Sequence, residues 1–539
     1  FSSTLDKYAP VDHFYISKNA SHAEFQSLLH QLRAYNLVIN AHFGMLRSSS
    51  RKHGLTANSI DFTKKLNESK EVINVFFGIP YVLNYLPEFP TVMIAYTAED
   101  ASQSGAAQAV FGGIDITGQL PVRAGKFAVN TGEVRSGGVR LKYMSPYYFG
   151  LEPSSFDAID KILDKIVKDG ATPGGQVLVA YKGAVIYEKS FGYHTYDKKV
   201  KVEDTDLYDI ASITKVAATA PVLMTMGETG TFSINKRLYQ YLPDLKGNKR
   251  NLLLQDILTH QSGLTAWIPF YKETLAENKQ PKSHLFNKYY SEKYSVKVAE
   301  NMYMDHAYID TLYAMIENDP LKDKRYRYSD LGYYYLKKII ESHYKHSMDV
   351  VVDSLIWRRL GGNYTMYNPL EKGVPLSAIA PTEEDNYFRM QKVHGHVHDQ
   401  GAAMLNGVAG HAGLFSNAND LAKYFQMLLN KGYYGNERFF KPETVDAFTS
   451  QVHSNNRRAL AFDKKVTDHN TGGPACTCVS ESSFGHTGFT GTIAWADPER
   501  EIVFIFLSNR TYPDAENRLL IRQNIRTDIQ NIIYDIIEE

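Results

Sequence analysis

Cysteine is nearly absent, with two residues in 539, Cys476 and Cys478. That count excludes a disulfide-stapled scaffold and falls short of a four-ligand structural zinc site. Separated by one residue, the two are expected to remain incidental thiols beside a loop rather than form an ordinary disulfide. An excess of one charge sign is also lacking, since 59 Lys and Arg balance 59 Asp and Glu. A chain without a basic surplus is poorly suited to nucleic acid, whose phosphates demand a cationic surface. Long apolar runs are missing, and none approaches the ~20 residues of a membrane span. The chain opens on Phe1 with neither Met nor a signal-like segment. A mature form or a fragment is therefore expected, and its targeting is not legible. Tyrosine is abundant at 37 residues, and 270–328 is dense in Tyr, Lys and Asn.

At this length two or three domains are expected. Residues 1–125 alternate helical and strand-like segments: a helix over 23–32, strands over 72–77 and 92–95, and a small-residue helix over 102–111. Such alternation predicts an α/β layered domain. Residues 126–152 hold Gly132, Gly137, Gly138 and Pro146 with little periodicity and read as a linker. A second domain, 153–539, starts with an amphipathic helix over 156–168. A hairpin over 174–189 follows, turning at Lys182-Gly183. Late strands over 492–495 and 502–507 and a helix over 518–537 are expected to close a sheet against a terminal helix.

Within this second domain, Ser212-Ile213-Thr214-Lys215 stands out. Serine and lysine three apart share one face of a helix, where a desolvated amine can take a proton from a hydroxyl. Three other strings match the pattern, at Ser49–Lys52, Ser233–Lys236 and Ser342–Lys345, and they read as a loop, a cap and an exposed helix. Ser212 instead follows an extended run and opens a helix with Ile213, Val216, Ala217, Ala220, Leu223 and Met224 on one side. Pro221 is expected to kink it. Two short motifs come later: Tyr328-Ser329-Asp330 at the entrance to a helix over 331–342, and His486-Thr487-Gly488 just before a strand. Each alone is weak, a helix cap or a turn.

The three in order resemble the serine hydrolases of the class C β-lactamase and penicillin-binding-protein group, whose signatures are S-x-x-K, Y-x-N and K-T-G or H-x-G. The stretches 253–264, 328–340, 407–416 and 485–508 are also similar, so the resemblance covers roughly 153–539. It implies an α+β β-lactamase/transpeptidase-like domain, an antiparallel sheet flanked by helices with an all-helical lobe. Ser212 Oγ is expected to attack an acyl carbon, forming an acyl-enzyme. Lys215 and Tyr328 share the proton work, because an ammonium beside a phenol lowers its pKa from about 10. Asp330 and His486 complete the catalytic set. The backbone N–H groups of Ser212 and Phe489, with Thr487 and Gly488, form the oxyanion and substrate-binding edge that the resemblance implies. No cofactor is implied. His394, His396 and His398 alternate ahead of Asp399 and could share a strand face for zinc, but the resemblance runs through them without a metal.

The chain departs from the pattern twice, with Asp330 in place of Asn and His486 in place of Lys. One cation lost and one anion gained predict a preference for neutral or cationic esters and amides, with weak or absent β-lactam hydrolysis. The end of the first domain, Ala107–Gly113 with Thr117–Val122, looks like the close of the C-terminal α/β domain of family 3 glycoside hydrolases. That family's nucleophile sits in a preceding barrel, so no residue here carries over, and Asp61, Glu99 and Asp100 read as solvated or capping. A natural fusion to a β-N-acetylglucosaminidase barrel is expected, with a muropeptide-like substrate in an extracytoplasmic, periplasmic or outer-surface setting. A non-catalytic penicillin-recognising or cell-wall-binding module, capturing cell-wall fragments without turnover, is the alternative.

Overall fold

The structure is a computed structural model that describes residues 1–86, 88–466 and 473–538. The chain divides into two units, Phe1–Tyr143 and Met144–Glu539.

In the first unit, helices α1 (His22–Gln31), α2 (Ala57–Ser69) and α3 (Asp100–Val110) accompany strands β1 (Leu37–His42), β2 (Glu71–Phe76) and β3 (Val92–Ile94). The strands pair in parallel in the order β1-β2-β3, as the alternation of helix and strand requires. Ser21 and Glu24 form a capping box at the start of α1, and Thr56 and Ser59 form one on α2, which fixes where those helices begin. Asp61 lies on the surface paired with Lys65 at 2.8 Å, and Asp100 sits in the first turn of α3.

The second unit is built around an antiparallel sheet. Helix α4 (Asp157–Lys168) precedes β4 (Gly174–Tyr181) and β5 (Ala184–Gly192). The hairpin turns at Lys182 and Gly183, both at positive φ (48° and 75°), the backbone that a two-residue turn between twisted strands needs. Helices α5 (Ala220–Glu228), α6 (Leu331–Tyr344) and α7 (Ala418–Leu429) follow. Strands β6 (Asp463–Lys464), β7 (Phe484–Thr487), β8 (Ile493–Asp497) and β9 (Ile502–Ser508) then lead to α8 (Ile525–Glu538). The sheet order is β6-β7-β8-β9-β4-β5, every neighbour antiparallel. Ile159, Leu163 and Ile166 of α4 and Ile529 and Ile533 of α8 cover one face against Val177, Trp495 and Phe504. Helix α7 packs on β4, β8 and β9. With helices on both faces, all seven residues of β9 are buried, which is why six of them, 502–507, form a continuous apolar run.

Three expectations are corrected. The terminal helix is not continuous from 518 to 537: a short turn Leu519–Arg522 is separated from α8 by Asn524 at φ 54°, a conformation asparagine tolerates better than most residues. Cys476 and Cys478 are joined in a disulfide, their Cα atoms 5.3 Å apart, within the span a bridge needs even across one residue. The helical lobe also carries a small antiparallel sheet, Phe286–Asn287, Met302–Met304 and Val296–Ala299, built from the Tyr-rich insertion.

Candidate active site

Asp209 sets up the nucleophile turn. Its Oδ1 accepts the Ala211 N–H at 2.8 Å and its Oδ2 the His398 N–H at 2.7 Å. Those bonds hold Ala211 at φ 47°, a strained backbone for a residue with a Cβ, immediately before Ser212. The helix expected to kink at Pro221 is interrupted more deeply: a 3₁₀ turn (Ala211–Ile213), a π turn (Lys215–Thr219) and then α5. Pro221 is the physical reason, since it has no N–H to offer the Ala217 carbonyl. Trp357 Nε1 donates to that carbonyl instead, at 3.2 Å. Ser212 alone keeps partial exposure in this otherwise buried stretch.

Lys215 is fully buried, and its Nζ meets three acceptors: Ser212 Oγ at 2.9 Å, the His411 carbonyl at 3.2 Å and Asp330 Oδ1 at 2.7 Å. Two of these contacts are hydrogen bonds and the third, to Asp330, is an ion pair. The rings of Tyr328 and Tyr333 lie 4.9 and 5.3 Å from the same nitrogen. His411 is itself held, with Nε2 2.9 Å from Asp399 Oδ1 and its ring stacked on Tyr334. Burial pushes the Asp399 carboxyl up, but His411 and the Ala402 N–H more than offset it and keep it well below the usual carboxylate range.

Tyr328 and Asp330 reach Lys215 because Ser329 anchors the start of α6. Its Oγ donates to the Thr265 carbonyl at 2.6 Å, and its N–H donates to His260 Nδ1 at 3.1 Å. Asp330 makes no side-chain cap to α6; it pairs with Lys215. The expectation of a phenol acidified by Lys215 is corrected here. Burial first, and then the Asp330 carboxylate, push the Tyr328 hydroxyl well above its ordinary range, while Arg458 and Ser212 pull the other way. The Tyr328 hydroxyl has no well-aligned hydrogen-bond partner among the described residues, although Ser212 lies near enough to favour its ionised form.

The third motif ends β7. A Cβ on Gly488 would run into Thr492 Oγ1 and come within 2.6 Å of the Ile210 carbonyl oxygen, so only glycine lets this turn lie against the nucleophile segment. Thr490 Oγ1 donates to the Asp209 carbonyl at 2.7 Å. Phe489, half-exposed, is thereby brought beside the residues that lead into Ser212. His486 takes Arg458 as a neighbour, Nη1 to Nε2 at 3.2 Å, and its Nδ1 lies 2.7 Å from the Thr487 carbonyl. Because arginine only donates, Nε2 accepts and the proton sits on Nδ1. Burial, reinforced by Arg458 and Lys215, pushes the imidazole down to about 3, so it is neutral at physiological pH.

Arg458 and His260 had no assigned part in the sequence reading. Arg458 belongs to no spacing pattern and comes from a loop; His260 lay in a stretch that marked only similarity. Arg458 brings a buried cation to the site. Asp330 is compensated by Lys215, and a guanidinium stands beside the neutral His486. Lys215, Arg457 and Arg458 face two carboxylates, Asp330 and Asp463, so the basis for rejecting an anionic substrate is gone. His394, His396 and His398 do not share a strand face: Gly395 turns the chain at φ 73°. His394 lies against the Ile379 carbonyl at 2.6 Å, and His398 lies 3.1 Å from Glu383.

The β-lactamase family model matches residues 159–527. The chain belongs to that family. It is a serine hydrolase of β-lactamase/transpeptidase-like fold. An N-acetylmuramyl-L-alanine amidase of Bacillus subtilis (strain 168) is 30% identical over 381 residues, 66% of this chain and 80% of that protein. A protein of Escherichia coli (strain K12) with the provisional name D-alanyl-D-alanine carboxypeptidase is 30% identical over 401 residues, 69% of this chain and 86% of its own length. Among solved structures, a class C β-lactamase shares the fold with a TM-score of 0.50 at 16% identity, over 70% of this chain and 96% of the other.

Proposed function

We propose that this serine hydrolase cleaves an ester or amide bond of a cell-wall peptide through an acyl-enzyme on Ser212. The observation that carries the reading is the Lys215 ammonium, held by Ser212, Asp330 and the His411 carbonyl, with the Tyr328 ring centre 4.9 Å from its nitrogen. The resting cluster holds one proton too many to act as a base. Once it has lost that proton, the Tyr328–Lys215 pair accepts hydrogen from Ser212 Oγ as the oxygen attacks the acyl carbon. The same pair returns the proton to the departing amine or alkoxide. Water then attacks the acyl-enzyme, giving its proton to the pair, and Ser212 Oγ leaves with it. The Ser212 and Phe489 N–H groups are the proposed oxyanion donors, and Thr487 and Gly488 form the proposed substrate edge. Asp330 holds Lys215 in place, and neutral His486 contributes no charge.

The names of the amidase and carboxypeptidase relatives support a peptidoglycan-derived substrate, and the net positive cluster suits peptides that end in a carboxylate. The parallel β1-β2-β3 order supports, by analogy, a glycosidase-type first unit that would be joined in nature to a β-N-acetylglucosaminidase barrel. The Cys476–Cys478 disulfide suits an oxidising, extracytoplasmic setting. Wild type and Ser212→Ala should be compared on muropeptides, D-amino-acid amides and short esters. Release of amine or alcohol by wild type alone supports the proposal. Equal release by the variant, or capture of muropeptide with no turnover by either protein, overturns it, the latter in favour of a binding module.

A further inference from the structure

We propose that Arg458 is a positioning residue for catalysis: its guanidinium, delivered by the loop ahead of β6, stabilises the negative charge on Tyr328 Oη in the form that accepts the Ser212 proton. The inference rests on the hydrolase reading above and gives a role to a buried cation that no motif contains.

The geometry is specific. Arg458 is 3% exposed, and its guanidinium carbon stands 5.1 Å from the Tyr328 ring centre. Nη1 lies 3.2 Å from His486 Nε2, Nη2 lies 3.3 Å from Asp463 Oδ2, and Nε and Nη2 both reach Tyr326 Oη at 3.3 Å. Its own N–H is held by Asn456 Oδ1 at 3.0 Å, and Asn456 Nδ2 in turn donates to the Thr259 carbonyl beside His260. The guanidinium is therefore fixed on three sides, with Tyr328 beside it.

A purely structural role explains this poorly. Asp463 already has an ion-pair partner in Arg457, which grips both its oxygens at 2.7 and 3.1 Å. Burying a second guanidinium costs solvation that the existing pair does not require. The phenol, by contrast, does need a cation. Lys215 faces it but is balanced by Asp330. His486 and His260 also face it, as neutral rings with centroids 6.0 and 4.4 Å away. Tyr333 adds no charge of its own. Arg458 is thus the permanent cation near Tyr328 whose field the neighbouring Asp330 does not cancel; the opposing field is that of Asp463. Where the third motif has lost its lysine, a loop residue 28 positions earlier stands in its place.

The test uses the sign of the field. The dependence of kcat/KM on pH would be measured with a short ester for wild type, Arg458→Gln, Arg458→Lys and Asp463→Asn, alongside fluorophosphonate labelling of Ser212. Loss of the guanidinium should move the rising limb at least about one unit to higher pH, a tenfold loss at fixed pH on that limb. Lysine should restore part of it. Asp463→Asn should move the limb the opposite way, a result that loss of packing would not produce. If Arg458→Gln does not fold, the opposed shifts of Arg458→Lys and Asp463→Asn decide. Limbs that coincide with wild type, or that move together, overturn the role of Arg458 while leaving Ser212 labelled. A wild type that neither labels nor turns over ester overturns the hydrolase reading, and the role of Arg458 falls with it.

Discussion

Replacing Asp330 by Asn removes one negative charge 2.7 Å from Lys215 Nζ while leaving an oxygen acceptor in place. The carboxylate repels a phenolate and so favours the protonated form of Tyr328. Its loss should therefore let Tyr328 give up its proton more readily. At 2.7 Å two unit charges interact by about 1.5 kcal/mol in the dielectric of water and about 6 kcal/mol at an effective dielectric of 20. The Asp330 side chain is 19% exposed and that of Lys215 is not exposed, so the value lies between these limits. Since ~1.4 kcal/mol is one pH unit, the rising limb of kcat/KM should move at least about one unit to lower pH. Wild type should gain rate with pH into the alkaline range, and Asp330→Asn should reach its plateau earlier. Steady-state ester hydrolysis from pH 6 to 10 measures both. A limb that stays in place or moves to higher pH would refute the reasoning.

Tyr328→Phe should lose about 10²–10⁴ in kcat/KM with an unchanged or raised melting temperature, because the deleted hydroxyl is buried without a well-aligned partner; activity within tenfold of wild type would remove Tyr328 from the proton path. Gly488→Ala should fold yet show little turnover, since its Cβ would press on Thr492 and on the Ile210 carbonyl ahead of Ser212; unimpaired ester hydrolysis would contradict the close approach. Reduction of Cys476–Cys478 should cost only about 1–2 kcal/mol, the chain-entropy value for so short a loop, and leave kcat within twofold. Calorimetry and ester assays with and without reductant would check both parts.

Local features were legible where local chemistry decides them. The hairpin expected over 174–189 follows from the apolar run Val177–Ala180 and the Lys182-Gly183 turn, and the helix at 157–168 follows from Ile159, Leu163 and Ile166 on one stripe. Order along the chain also showed which serine lies near Lys215, Tyr328 and the His486 turn. What escaped depends on distant partners. Asp330 looked like an unpaired anion because its cation lies 115 positions away. The Tyr328 hydroxyl was expected to be acidified because burial and the Asp330 field belong to the packed fold. Arg458 carries no signal in spacing, as loop cations are common and only tertiary structure sets this one over a phenol. The π turn at Lys215–Thr219 needed Trp357 to take the acceptor that Pro221 leaves free.

The central claim is that Ser212 is an activated nucleophile held by Lys215. A fluorophosphonate offered to the folded protein, followed by peptide mapping, tests it most directly. The account predicts one adduct, on Ser212, formed faster as pH rises and absent in Ser212→Ala. No adduct, or one on another serine such as Ser233 or Ser329, would contradict it.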